Sequence, residues 1–151
     1  MAAATIPAAG DDYAVYFSAT APADDAAAKV STNYTKVALA DSVSLDSAGE
    51  ETVVRFFGGT VTKYGANTIT GAITLKVGTV SDDGAEALAT AEAASPKPLG
   101  YYLITTGNEG APAFYGSCYV GGTTFNAQAG PDAPTESFAL GVVTKARFTT
   151  A

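Results

Sequence analysis

NTITGAITLKVGTVSDDGAEALATAEAA, residues 67–94, begins as one kind of periodic structure and ends as another. Ile69, Gly71, Ile73, Leu75 and Val77 alternate with Thr68, Thr70, Thr74 and Lys76. Period two sustained over this length predicts a half-buried β-strand, because successive side chains of an extended chain point to opposite faces. Ser81, Asp82, Asp83 and Gly84 then break the strand, and Asp83 with Glu86 three residues later gives a capping-box pattern ahead of Ala85, Leu88, Ala89 and Ala91. A short helix is expected from there to Ala94. Leu88 is its only large apolar side chain, so it can lie against a sheet but cannot nucleate a core.

The sheet has to come from the flanking sequence. Upstream, Asp12–Ser18 carries Tyr13, Val15 and Phe17 on one face and reads as a strand; Ala19–Asn33 reads as a loop in which Asp24, Asp25 and three alanines support one helical turn at most. Tyr34–Leu45 alternates Val37, Leu39, Val43 and Leu45 with polar residues, and Asp41 inside it predicts a bulge or a strand end. Asp46–Gly49 has turn composition, and Thr52–Phe57 resumes the extended pattern, so Thr52–Val77 is expected as a long hairpin. Downstream, Leu99–Thr106 and Ala113–Val120 pair across the turn Gly107–Gly110, with Phe114, Gly116, Cys118 and Val120 on one face and Tyr115, Ser117 and Tyr119 on the other. Gly121–Pro134 reads as turns, and Glu136–Thr149 as a last strand with Phe138, Leu140, Val142, Ala146 and Phe148 on one side. The fold class is all-β: a β-sandwich or barrel of about seven strands, Ig-like in kind, with one short α-helical insertion. Met1–Asp11, Ala-rich with Pro7 and Gly10, is expected as a flexible N-terminal arm to a single domain spanning 12–151.

Composition removes most chemistry. The chain has no histidine, so neither a Ser/His/Asp nor a Cys/His nucleophilic system is available, nor a Cys/His metal site. The single cysteine, Cys118, excludes an intramolecular disulfide and is expected as a core residue. The acid pairs Asp11–Asp12, Asp24–Asp25, Glu50–Glu51 and Asp82–Asp83 fall in loops or strand entries and are best explained as solvated. No glycine spacing matches a phosphate loop and no calcium-loop pattern occurs, so no enzyme activity and no cofactor is expected. A formal charge of −7 argues against gripping nucleic acid by counterion release, although not against a surface that nucleic acid slides past. No apolar run approaches a membrane span, and the N-terminus lacks the basic and hydrophobic regions of a secretory signal, so synthesis inside the cell is expected.

The order of these features resembles the tail tube, or major tail, proteins of long-tailed bacteriophages, which are similar in fold to the type VI secretion tube protein. The likeness spans about Asp12–Thr149 and rests on VALADSVSL (37–45), EETVVRFFGG (50–59), ITGAITLKV (69–77), DGAEALATAEAA (83–94), YYLITT (101–106), AFYGSCYVGGTTF (113–125) and SFALGVVTKARF (137–148). The resemblance implies a structural virion protein, made in the host cytoplasm, whose subunits form hexameric rings that stack into a tube delivering DNA. It implies as partners other copies of the chain and other tail proteins (tape measure, terminator, distal tail), DNA that passes without specific binding, and no membrane. A surface rich in Thr, Gly, Ala and Tyr suits such assembly, since it lacks the charge that blocks edge-to-edge strand pairing. Candidate lumen or inter-subunit positions are Thr68, Thr70, Thr74, Lys76, Asp46, Glu50, Phe56 and Phe57. The alternatives are a capsid decoration protein or another Ig-like surface or binding module, including a carbohydrate-binding one using exposed Tyr101, Tyr102 and Tyr119.

Overall fold

Eight antiparallel strands hydrogen-bond into one continuous sheet in a computed structural model that describes residues 13–78 and 81–150, less the side chains of Glu50, Thr52, Val54, Phe56, Tyr64 and Ala66. In chain order they are β1 (Tyr13–Ser18), β2 (Thr35–Lys36), β3 (Ala40–Phe56), β4 (Gly59–Lys76), β5 (Gly100–Thr106), β6 (Pro112–Asn126), β7 (Thr135–Val142) and β8 (Ala146–Thr149). Helix α1 (Asp25–Ala28) and a 3-10 turn lie between β1 and β2, and α2 (Asp83–Ala93) lies between β4 and β5. The spatial order is β2-β1-β5-β6-β7-β4-β3, with β8 beside the first half of β6 and β7 beside the second. The described residues are mostly antiparallel β-sheet with one substantial helix, as the sequence patterning predicts. The arm expected over Met1–Asp11 lies outside the described residues.

The core forms where alternating apolar faces turn toward one another. Val15 and Phe17 of β1, Tyr102 and Ile104 of β5, Cys118 and Val120 of β6, Phe138 and Leu140 of β7, and Ile73 and Leu75 of β4 make one buried cluster. Leu88 and Ala91 of α2 join it, so the helix uses the narrow apolar stripe expected of it. Cys118 is fully buried in this cluster. Leu103 of β5 and Ala113 of β6 are also fully buried, outside this cluster.

Five local expectations are corrected. Asp46–Gly49 makes no turn: β3 runs through it, paired to β4 from Leu45↔Gly71 to Gly49↔Asn67, because cross-strand bonding outweighs the weak turn preference of these residues. The hairpin therefore spans Ala40–Lys76 and turns at Phe57–Gly58, where the following Gly59 has φ +147°, a conformation that disfavours any side chain. Gly121 likewise ends no strand; β6 passes it with a register shift between Val120 and Gly122 and continues to Asn126. The last segment is two strands: the chain breaks at 143–145, placing Phe138 in the core and Phe148 against Tyr115 on the outside, ring centroids 5.9 Å apart.

The fifth correction concerns α2. Its N-cap is Asp82, not Asp83, and Asp82 is no solvated member of an acid pair. Its carboxylate accepts from Ala85 N–H (3.3 Å) in the first turn, and from Ala38 N–H (3.1 Å) and Leu39 N–H (2.9 Å) in the β2–β3 connection. One buried side chain thus closes the helix terminus and fastens it to the sheet edge. Gly84 lies beside it because a Cβ there would meet the Lys36 carbonyl oxygen at 2.5 Å.

Candidate functional site: a hydroxyl-lined face and a projecting arm

β3, β4, β7 and the second half of β6 present to the outside a face built from small polar residues. The register fixes its members: Asp46↔Thr70, Ala48↔Thr68 and Ser42↔Thr74 across β3–β4, then Thr74↔Ser137, Ala72↔Ala139 and Thr70↔Gly141 across β4–β7, then Ser137↔Thr124 and Thr135↔Asn126 across β7–β6. Their alternates Val43, Ile73, Phe138 and Leu140 turn inward, and burying those residues is what forces the hydroxyls out. Thr74 and Ser137 share a hydrogen bond of 2.9 Å, which aligns the two central strands.

Charge on this face is sparse. Lys76 Nζ lies 3.9 Å from the carboxylate of Asp41, the residue bulged out between Ala40 and Ser42, with both side chains more than half exposed. With Asp46, the part of this face where β3, β4 and β7 lie side by side carries two carboxylates and one ammonium among the described residues, close to neutral. An exposed pair of this kind adds little stability but cancels field locally.

Of the eight candidate positions, five converge here: Asp46, Thr68, Thr70, Thr74 and Lys76 share one face of adjacent strands. Phe57 does not; it sits fully exposed at the hairpin turn. Glu50 and Phe56 have their backbones in β3, and their side chains lie outside the described residues. Sequence reasoning missed the contribution of β7 and β6. The signal was available in SFALGVV, where Ser137, Ala139 and Gly141 alternate with Phe138, Leu140 and Val142, but only the pairing of β7 with β4 joins the two small-residue rows.

The second feature is the arm. β4 leaves β7 after Ile69↔Val142, so Gly59–Thr68 pair with β3 alone among the described residues. At about 3.3 Å per residue these ten residues reach roughly 30 Å beyond the sheet. Val53 and Val61 on the arm are 49% and 41% exposed, and Phe57 at its tip has no cover at all. A two-stranded ribbon with solvent on both faces is at best marginally stable in water.

Among the described residues, the two groups with a strongly raised pKa stand in the core and not on either feature. Burial pushes the Cys118 thiol up to about 12, and burial also raises the Tyr102 hydroxyl, which donates to the Thr144 carbonyl at 3.0 Å. Both belong to the core.

No protein-family model and no curated protein matches the sequence. Solved structures do match the fold. The chain is 15% identical to a chain of the SPP1 tail tube, with a TM-score of 0.70 over 95% of this chain and 80% of that one. It is 11% identical to a chain of the sheath–tube complex of an extracellular contractile injection system, PVC, in the extended state (TM-score 0.71, 97% of this chain, 95% of that one). Against a chain of the virion of the native gene transfer agent particle the values are 12%, TM-score 0.63, 96% and 100%. The fold of this chain is the one found in those tail and tube assemblies.

Proposed function

We propose that this chain is the structural subunit of a phage-type tail tube: copies assemble into hexameric rings, rings stack, and the hydroxyl-lined face of β3, β4, β7 and β6 forms the wall past which DNA moves. The observation that carries the reading is the arm. Some 30 Å of two-stranded ribbon with exposed Val53, Val61 and Phe57 makes physical sense only if neighbouring copies cover its faces and continue its edges. β3 is a terminal strand of the sheet, so its outer edge has no neighbouring strand among the described residues and is available for pairing with another copy. The wall assignment follows from electrostatics. A conduit must not hold phosphate, because every Lys or Arg that displaces counterions adds attraction and hence a barrier to sliding. Among the described residues, the part of this face where β3, β4 and β7 lie side by side offers one lysine, and that lysine lies beside a carboxylate.

The role is mechanical and needs no catalytic group. The fold shared with the SPP1 tail tube, the PVC sheath–tube complex and the gene transfer agent virion supports a place in a tail, alongside other tail proteins. Electron microscopy of purified protein at high concentration tests the proposal, together with a variant in which residues 51–64 are replaced by a two-residue turn. The parent should form tubes or rings of constant diameter. The shortened variant should keep the parent's circular dichroism and stay monomeric. Discrete trimers of the parent, or tubes formed as readily by the shortened variant, would refute it.

A further inference from the structure

The hydroxyl-lined half of the sheet is unfinished at both of its edges. At one edge stands β3, the terminal strand. A groove of about 640 Å³ lies between it and β1, walled by Tyr13 and Ala14 on one side and by Ala40 and Val43 on the other. Its floor is core: Val15 and Val37 belong to the buried cluster, and Val43 packs against it. β2 covers the outer edge of β1 only at Tyr16 and Phe17, so it does not fill this space. The groove stands where one more strand beside β3 would send its side chains.

At the opposite edge stands the second half of β6. β5 accompanies β6 only from Phe114 to Cys118, and from Gly122 to Asn126 β6 pairs with β7 alone among the described residues. The register sets Thr123 opposite Phe138, and Phe125 opposite Glu136, which in turn faces Leu75. Phe138 and Leu75 are core residues, so Thr123 and Phe125 lie on the core side of the sheet. Phe125 is nevertheless 60% exposed, because the strand overhangs the rest of the subunit. A phenyl ring left in water on that side gains about 1.5–3 kcal/mol from any chain that covers it.

Strand direction makes the two edges complementary. β3 with β4, β4 with β7, and β7 with β6 are all antiparallel, so β6 runs opposite to β3. A second copy set beside the first and facing the same way therefore lays its β6 antiparallel against the outer edge of β3, with the core sides of the two sheets continuous. Thr123 and Phe125 of that strand then point between β3 and β1, into the groove. We propose that Phe125 of each copy seats in the β1–β3 groove of its neighbour and that this contact holds copies side by side within a ring. The occupant is a second copy because the strand missing beside β3 and the strand left uncovered belong to one sheet and agree in direction and in side. The two surfaces differ, so the contact is heterologous and repeats from copy to copy until a ring closes. The inference rests on the tube reading and adds to it the plug and the socket.

Assembly and cross-linking of the full chain test it together. Phe125→Ala should leave the circular dichroism of the monomer unchanged, since the ring is exposed there, and should raise the protein concentration at which rings or tubes form about tenfold or more. Phe125→Leu, which keeps an apolar side chain, should raise it less. For cross-linking, Thr123→Cys is combined with Ala40→Cys or with Val43→Cys, which leaves Phe125 in place, and the assembled protein is oxidised. At least one pair should give a ladder of covalently joined copies, whereas Thr123→Cys with Val30→Cys, exposed elsewhere, should give none. Cys118 is buried and stays out of the reaction. If the parent forms rings and tubes while Phe125→Ala assembles at the same concentration, or neither groove pair joins copies, the groove assignment is wrong and the tube reading stands. If the parent forms neither rings nor tubes at any concentration, both fail.

Discussion

Removing one carboxylate should unfasten α2 from the sheet. Asp82 is buried and receives three backbone N–H groups, from Ala38, Leu39 and Ala85. Asp82→Ala deletes the helix cap, which costs about 1 kcal/mol. It also takes a charged acceptor from two part-buried amides, each worth about 1 kcal/mol if water enters to replace it and more if it does not. The expected loss is about 3 kcal/mol, equivalent to a fall in Tm of roughly 6–12 °C for a domain of this size. Asp82→Asn retains one acceptor oxygen and should fall between parent and alanine variant. Asp83→Ala, an exposed change one residue along, should stay within about 0.5 kcal/mol of the parent. Urea unfolding of unassembled protein, followed by circular dichroism with the three variants side by side, measures all of this. If Asp82→Ala proved no more destabilising than Asp83→Ala, the assignment of Asp82 as the fastening residue would be wrong.

Other outcomes follow from the same geometry. Gly116→Ala would set a Cβ 2.0 Å from the Thr144 carbonyl oxygen and push the 143–145 crossing away from Ser117 and Tyr102; a loss of about 2–4 kcal/mol in thermal or urea unfolding is expected. Cys118 and Tyr102 hold their protons more tightly when folded, so the native state binds the extra protons: their contribution to stability should be complete below about pH 8 and fall as the pH rises past about 9, by at most about 1.4 kcal/mol per pH unit for each group, and Cys118 should resist thiol reagents at about pH 8 until the protein unfolds. Ile73→Pro removes a ladder donor from a central strand and should abolish both the native fold and tube formation, read by circular dichroism and microscopy. If the hydroxyl face is the DNA wall, Asp46→Lys in assembled tails should slow genome ejection at low salt and approach parental kinetics at high salt, where the added attraction is screened; unchanged kinetics in correctly assembled tails would remove Asp46 from the wall.

Much was legible from residue order alone, for local reasons. Alternation in Tyr13–Phe17, Ile69–Val77 and Phe114–Val120 marks strands because a pleated chain has no other way to bury one face, and the Ala-rich 85–93 run marks a helix because nothing in it favours extension. The absence of histidine and the lone Cys118 excluded whole classes of chemistry before any fold was known. What only the tertiary structure decided lies wherever a distant partner outvotes local preference. Asp46–Gly49 and Gly121 look like turns and are strand, since β4 and β7 supply the ladder bonds that hold them extended. Asp82 rather than Asp83 caps α2 because Ala38 and Leu39, more than forty residues away, present their amides to it. Thr70 and Thr74 share a face with Gly141 and Ser137 through pairings that no local pattern encodes. Periodicity tells each segment which way its side chains point; which segments then stand side by side is set by burying all those faces at once.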